Sequence, residues 1–490
     1  MAQNMPIVEA LRNYINSTVA RFHMPGHKGG AGTSPTIKDF LGADTLLADV
    51  TNIPGMDDLH QPTGIIRKAQ ELAAQTFGAE DSYFLINGSS CGLMALIMAT
   101  CRPGDKILVP RNIHRSILSG IILSGTVPVF FRPFYDRELL LPLAVAPEII
   151  RFTLAEHPDA RAVFVISPTY NGITSDIAKI AEEVHRYGIP LLVDEAHGPH
   201  LGLHEGLPPR ALDCGADAVV HGTHKILTSF TQASMLHVKG RRVDRARLEQ
   251  SLRVLQSTSP SYLLLASLDA ARADVAARGR EMAATALNMA EGLRRAVENI
   301  PGVTAFGERW AVARGAAGLD RTKVTISVKN LGITGVKAEV WLRENAFIQV
   351  EMSDVFNLLV IITAGNTPDD VRRLVSGLEA ISSAANKEMV VERDLTRVLE
   401  TALEAPEAPL VVTPREAFFG PSLSVPLEKA AGMVAAETVA CYPPGIPVLC
   451  PGEKITLEII EYLNLVRNLG MHFQGPHDPT VEFIRVLRAL

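Results

Sequence analysis

The chain has 490 residues, 47% of them hydrophobic and 20% charged, with a formal net charge of −6. That length exceeds what a single core organises, so two or three domains are expected, and the balance is that of a soluble globular protein. The mild acidity and the lack of any Lys/Arg block speak against a nucleic-acid partner. The longest apolar stretch, Ile117 to Phe131, is too short and too interrupted by Ser119, Gly120, Ser124, Gly125 and Pro128 to span a membrane.

The amino-terminal MAQNMPIVEALRNYINS has no basic run leading into an apolar one, so no secretory leader is expected. The cysteines (Cys91, Cys101, Cys214, Cys441, Cys450) are odd in number and form no CxxC pair, which fits free thiols in a reducing cytoplasm. Between residues 80 and 240 short apolar β-rich runs alternate with amphipathic stretches. Strands are predicted at Tyr83–Ile86, Lys106–Val109, Val127–Phe131, Ala162–Ile166, Pro190–Asp194, Ala218–Val220 and Ala233–Val238. Helices are predicted at Gly92–Cys101, Ile113–Ser124, Pro147–Glu156 and Asp176–Tyr187. The strand runs are near-continuous hydrophobics rather than alternating ones, which implies an α/β domain whose mostly parallel sheet is covered on both faces.

From Arg241 to Asn299 the pattern is helical almost throughout, with Pro260 at a helix start. A smaller α+β unit follows: strand Lys323–Val328, helix Gly335–Asn345, strands Ile348–Glu351 and Leu358–Thr363, and helix Pro368–Ala384. Thr401–Thr413 (TALEAPEAPLVVT) has linker composition, and beyond it a third unit holds the Pro- and Gly-rich stretch Tyr442–Gly452.

Ligands of open α/β sheets bind outside the carboxyl ends of the strands, so the loops there are where chemistry is sought. Asn87-Gly88-Ser89-Ser90-Cys91-Gly92 offers free N–H groups, a helix dipole and two hydroxyls to an anion, or else a plain N-cap and tight turn. Asp194 ends an apolar strand, where it could hold a cofactor's protonated ring nitrogen or simply cap and salt-bridge. Lys225, in HGTHK after another apolar strand, could be desolvated and so a neutral nucleophile, although most lysines are solvated. His197, His200 and His204 invite a metal reading. Gly198, Pro199 and Gly202 interrupt the helix that reading needs, and no HExxH is present.

Taken together, a hydroxyl-rich turn, an Asp about a hundred residues on and a Lys about thirty beyond it resemble the fold-type I pyridoxal-5′-phosphate (PLP) enzymes. More closely, FHMPGHKGG (22–30), NIPGMDDLHQPTGII (52–66), INGSSCG (86–92), PRNIHRS (110–116), SPTYNG (167–172), LVDEAHGPH (192–200), HGTHK (221–225), TQASMLHV (231–238) and YPPGIPVLCPGE (442–453) resemble the bacterial ornithine/lysine/arginine decarboxylases. The chain is similar to the compact members that lack an extra N-terminal wing domain.

The resemblance implies an aspartate-aminotransferase-like PLP fold: an N-terminal arm and large PLP-binding domain (1–300), a small α+β subdomain (301–395) and an α+β C-terminal decarboxylase domain (396–490). It implies Lys225 as the Schiff-base lysine, Asp194 on the pyridine nitrogen, His114 on one ring face and Ala196 against the other. Ser89, Ser90, the Cys91 backbone and His224 are implied around the phosphate. Some relatives have Ser where this chain has Gly222, which puts one phosphate contact in question, and the acid-induced members have Trp at the position of His197. His224 or Lys225 is implied as the proton donor to the substrate carbon, and Glu351 and Asp354 (VEMSD) as acids for the substrate's cationic tail. The implied reaction is decarboxylation of a basic L-amino acid in polyamine synthesis, L-arginine to agmatine first and lysine or ornithine as alternatives. Such a protein would be a cytoplasmic homodimer or higher homo-oligomer with its sites at the dimer interface. The competing expectations are another PLP reaction (aminotransferase or aldolase), a catalytically dead PLP-binding regulatory paralogue, and a metal hydrolase built on the three histidines.

Overall fold

The computed structural model of the chain describes residues 4–17, 19–388, 406–442, 445–468 and 470–488. Seven strands form the central sheet: β1 (Asp81–Leu85), β2 (Lys106–Pro110), β3 (Val127–Phe131), β4 (Ala162–Ile166), β5 (Leu191–Asp194), β6 (Ala218–His221) and β7 (Ser234–Val238). Their spatial order is β1-β7-β6-β5-β4-β2-β3. The pairs β2–β3, β2–β4, β4–β5 and β5–β6 are parallel, and β7 alone runs antiparallel to its neighbours β6 and β1. The mostly parallel sheet expected from the apolar runs is therefore present.

Both faces of this sheet are buried, and the pleat decides which side chain goes where. Ile107, Val109, Phe164, Leu192 and Val220 pack under the helices Gly88–Thr100 and Arg115–Ser124. Leu108, Val163, Val165, Leu191 and Val193 face Pro147–Glu156 and Ile177–His185 on the other side. The helical stretch after residue 241 is two helices, Arg245–Leu255 and Tyr262–Val297. Pro260 precedes the second rather than opening it: Ser261 is the cap, its side chain accepting from the Leu264 N–H. This 36-residue helix has one non-helical residue, Arg278 (φ −144°, ψ 20°). Before it, Leu265 and Leu268 belong to a core shared with the N-terminal helix Pro6–Ile15; after it, Ala290, Leu293 and Val297 belong to the core of the smaller unit.

That unit has a four-stranded antiparallel sheet, β8 (Thr304–Ala305), β9 (Lys323–Ser327), β10 (Met352–Ser353) and β11 (Asn357–Ile361), in the order β8-β9-β11-β10. The strand expected at Ile348–Glu351 is not one. The helix Gly335–Ala346 ends in Phe347 with left-handed φ of 53°, and the chain needs the following residues to turn before Met352 pairs with Leu359. A third core, with Val439, Val448, Leu449, Ile459, Leu463 and Ile484, organises a C-terminal unit. There Ser422–Pro426 pairs with Phe483–Leu487, and Val439–Tyr442 lies between Ile446–Leu449 and His472–Gln474. The expected boundary at 395/396, residues 401–405 of the expected linker, and Pro443 and Pro444 lie outside the described residues.

Candidate active site

The carboxyl edge of the parallel strands is where the expected residues meet. β1 leads through Asn87 to Gly88, whose φ of 76° lets the chain reverse directly into the helix Gly88–Thr100. Ser89 and Ser90 thus sit inside the first helical turn, four residues earlier than the sequence suggested. Asn87 gives no side-chain cap, so the N–H groups of that turn are open to a ligand. The helix is seated close to the sheet at Gly92, where a Cβ would lie 2.7 Å from Leu85 Cδ1 and 3.2 Å from Val220 Cγ1.

A cavity of about 320 Å³ opens at this edge. Ser89, Ser90, His114, Asp194, Ala196, His197, His224 and Lys225 are among the residues that line it. Asp194 is the last residue of β5, and Lys225 follows β6 by four residues, in the short helix Thr223–Ile226. Sheet alternation sends Glu195 away from the cavity, where its carboxyl meets His221 Nε2 at 2.9 Å and accepts from the Ala211 N–H at 2.9 Å.

The charges are arranged by burial. Asp194 is buried, which raises its pKa against the opposing pull of Lys225, and among the described residues its carboxylate accepts only from the Ala196 N–H, at 3.1 Å. Burial lowers the Lys225 amine, with Asp194 and Glu351 acting the other way. Its Nζ lies 2.8 Å from His197 Nε2 and 5.6 Å from the centre of the Tyr170 ring. His114 caps the helix Arg115–Ser124 by accepting from Ser116, and burial takes its imidazole down to about 4, leaving it neutral at pH 7. His224 places Nδ1 2.9 Å from the Ala233 carbonyl. A carbonyl can only accept, so Nδ1 carries the proton and Nε2 is the acceptor of the neutral ring.

These residues fit a flat ring with a protonated nitrogen, an aldehyde and an anionic arm. Asp194 is a buried carboxylate that no cationic side chain hydrogen-bonds among the described residues, the open helix turn suits a phosphate, and Lys225 is a desolvated amine between them. Gly222 belongs to the same fit: a Cβ there would come 2.7 Å from the Ala196 carbonyl and 3.0 Å from Lys225 Cδ. A serine at this position would need this loop to move.

Other expected residues are elsewhere. The Cys91 thiol turns to the Gly88 carbonyl, while its backbone lies in the same first helical turn as Ser89 and Ser90. Glu351 lies outside the lining but near enough to favour protons on both Lys225 and His224. Asp354 is half-buried and caps its own turn, accepting from the N–H groups of Phe356 and Asn357 at 2.9 and 2.8 Å. It faces a neighbouring cavity that shares Ile166 and Tyr170 with the first. The three histidines of the metal reading diverge: His197 to Lys225, His200 to Asp320 and Thr322, His204 to the Gly206 N–H. Two features escaped the sequence. Tyr170, inside the SPTYNG stretch, packs its ring 4.4 Å from that of His197. Lys323 and Asp320 form a buried pair just behind the cavity, with nothing in the sequence to announce it.

The fold is that of the aspartate-aminotransferase-like PLP enzymes. The lysine decarboxylase of Francisella novicida superposes with a TM-score of 0.85 at 23% identity, over 99% of this chain and 82% of that one. A pyridoxamine-pyruvate aminotransferase of Mesorhizobium loti shares the fold more distantly, with a TM-score of 0.52 at 18% identity over 69% and 88%. The major domain of the Orn/Lys/Arg decarboxylases matches residues 5–370, and their C-terminal domain matches residues 399–480. The chain belongs to the Orn/Lys/Arg decarboxylase family. It is 42% identical to an arginine decarboxylase of Bacillus subtilis over 99% of this chain and 98% of that protein, and 27% identical to a lysine decarboxylase of Pseudomonas aeruginosa over 96% and 77%.

Proposed function

We propose that this protein decarboxylates L-arginine to agmatine and CO₂ with PLP as cofactor, in polyamine synthesis. The observation that carries the cofactor chemistry is the desolvated Lys225 amine sharing one cavity with the buried Asp194 carboxylate at the sheet's carboxyl edge, and the reaction type follows from membership of the Orn/Lys/Arg decarboxylase family. Arginine is favoured over lysine or ornithine by the 42% identity, along both whole chains, to a protein named arginine decarboxylase.

PLP, when bound, supplies an electron-withdrawing ring that accepts the electron pair released as CO₂ leaves. The chain's own residues prepare that step. Lys225, its charge disfavoured by burial, offers an unprotonated amine to the cofactor's aldehyde. Asp194 would hold a proton on the ring nitrogen, and His114 and Ala196 would confine the ring. The first turn of Gly88–Thr100, with the hydroxyls of Ser89 and Ser90, and His224 would hold the phosphate. His224 or Lys225 returns a proton to the substrate carbon. Glu351, whose field reaches Lys225 and His224, is the acid for the guanidinium, and Asp354 supports its loop.

The protein acts as a cytoplasmic homodimer in this reading. Exposed Phe22, Met24 and Phe40 give the N-terminal arm an apolar surface suited to a second copy, and the cysteines are free. No helix among the described residues is long and apolar enough to cross a membrane.

Incubation with arginine, lysine and ornithine, followed by product identification by mass, tests the substrate. Agmatine with CO₂ is expected; a keto acid without CO₂ overturns the decarboxylase reading, and no product from any of the three favours a silent paralogue. Borohydride reduction and peptide mapping are expected to place the phosphopyridoxyl label on Lys225.

A further inference from the structure

The proposed chemistry makes no use of the cation behind the cavity. Lys323 opens β9 of the smaller sheet and its side chain is fully buried. Its ammonium donates to Asp320 Oδ2 at 2.7 Å and to the His197 carbonyl at 2.7 Å. Asp320 is also held by His200 Nε2 at 3.0 Å and by the Thr322 hydroxyl at 2.7 Å. Burying an ion pair costs as much as or more than filling the space with apolar atoms, so such a pair is weak as a stabilising device. What sets this one apart is its position. Asp320, Thr322 and Lys323 come from the smaller unit, His197 and His200 from the larger one. The tie crosses the seam at the residue whose ring meets Lys225.

We propose that Lys323 is a positioning residue for Lys225, acting through the His197 carbonyl that its ammonium grips. The proposal rests on Lys225 being the cofactor-linked lysine. With the carbonyl fixed, the His197 ring is held between Tyr170 and Lys225. Its Nδ1 is buried without a hydrogen-bond partner among the described residues. An orphaned N–H costs more than an orphaned lone pair, so the proton belongs on Nε2, which then donates to the free electron pair of a neutral Lys225 amine. The surrounding charges agree. Burial is the main reason His197 and Lys225 both resist protonation, and the Lys323 charge adds to it at each. At His197 the Lys225 and His114 charges act the same way and Asp320 opposes; at Lys225 Asp194 and Glu351 oppose. His200 faces Asp320 from its other side.

The test reads Lys225 directly, without turnover. The full-length chain, freed of cofactor, is acylated with acetic anhydride across a range of pH, and labelling of Lys225 is measured by peptide mass against exposed Lys38. Only the neutral amine reacts. In Lys323→Met, labelling at pH 7 is expected to fall about tenfold, the size of a one-unit rise in proton affinity. That variant strands Asp320, so Asp320→Asn/Lys323→Met, which buries no charge, is measured beside it. A fall of about threefold is expected there from loss of the grip on His197. Unchanged labelling in the folded double variant overturns the proposal, as does loss of the fold in both, because Lys323 would then be a structural ion pair only. Borohydride mapping of the loaded wild type judges the underlying reading separately: a label away from Lys225 ends that reading whatever the acylation profile.

Discussion

His114 owes its depressed pKa, down to about 4 from an ordinary 6.5, to burial first and to the charges of Lys225 and Arg115 second. As pH falls below 6.5 the unfolded chain takes up a proton that the folded ring refuses. The stability held by the neutral ring is therefore complete above 6.5 and is lost between 6.5 and about 4. His114→Gln is expected to flatten that acid loss by about 2 kcal/mol in calorimetric melts, after a discount for the ring's partial exposure; an unchanged slope would mean the folded ring protonates normally. Lys225→Ala is expected to abolish turnover, and Asp194→Ala to lower kcat by well over tenfold (~1.4 kcal/mol), since the ring nitrogen would lose its counter-charge. The two acids of VEMSD should separate cleanly. Glu351→Gln is expected to raise KM for arginine about tenfold. Asp354→Ala should lower the melting temperature, costing about 1–2 kcal/mol for a lost cap, with KM little moved.

These residues also mark how far the sequence could be read. Asp194 and Lys225 were legible because each follows an apolar run whose end must lie at a sheet edge. Glu351 and Asp354 sit three positions apart in one stretch, and only the turn at Phe356–Asn357 distinguishes an outward acid from a capping one. Lys323 was illegible for a different reason: its acceptors, Asp320 in its own unit and the His197 carbonyl in the other, are brought together only by the domain seam.

The helix Gly88–Thr100 transmits packing to binding. Gly92 lets it lie against β1 and β6, and its first turn is the anion site. Gly92→Ala is expected to cost about 1–3 kcal/mol and to weaken PLP binding, since the added methyl pushes the turn off its seat. Gly292→Ala, in the helix Tyr262–Val297 with nothing within 4 Å of the new Cβ, is the matched control and should gain about 0.5–1 kcal/mol. Equal effects in thermal melts would remove close packing as the role of Gly92. Parallel strands were readable because burial on both faces leaves one composition, whereas the helix start and the displaced strand near Met352 depended on Gly88 and Phe347 adopting positive φ, which composition does not encode.

At the scale of the assembly, Phe22 and Phe40 are 93% and 82% exposed on one arm. Burying two phenylalanines returns roughly several kcal/mol, which is what the proposed homodimer would gain by covering this arm. Phe22→Ser/Phe40→Ser is expected to shift sedimentation toward monomer and to make specific activity fall on dilution. A sedimentation profile identical to wild type would place the interface elsewhere.

The irregular residue in Tyr262–Val297 gives the molecule a joint. One rod is rooted in both the larger and the smaller core, so any swing of one against the other is most easily taken up where the rod's backbone already departs from helical geometry, at Arg278. The backbone around that point should trade amide hydrogens for deuterium faster than the turns on either side.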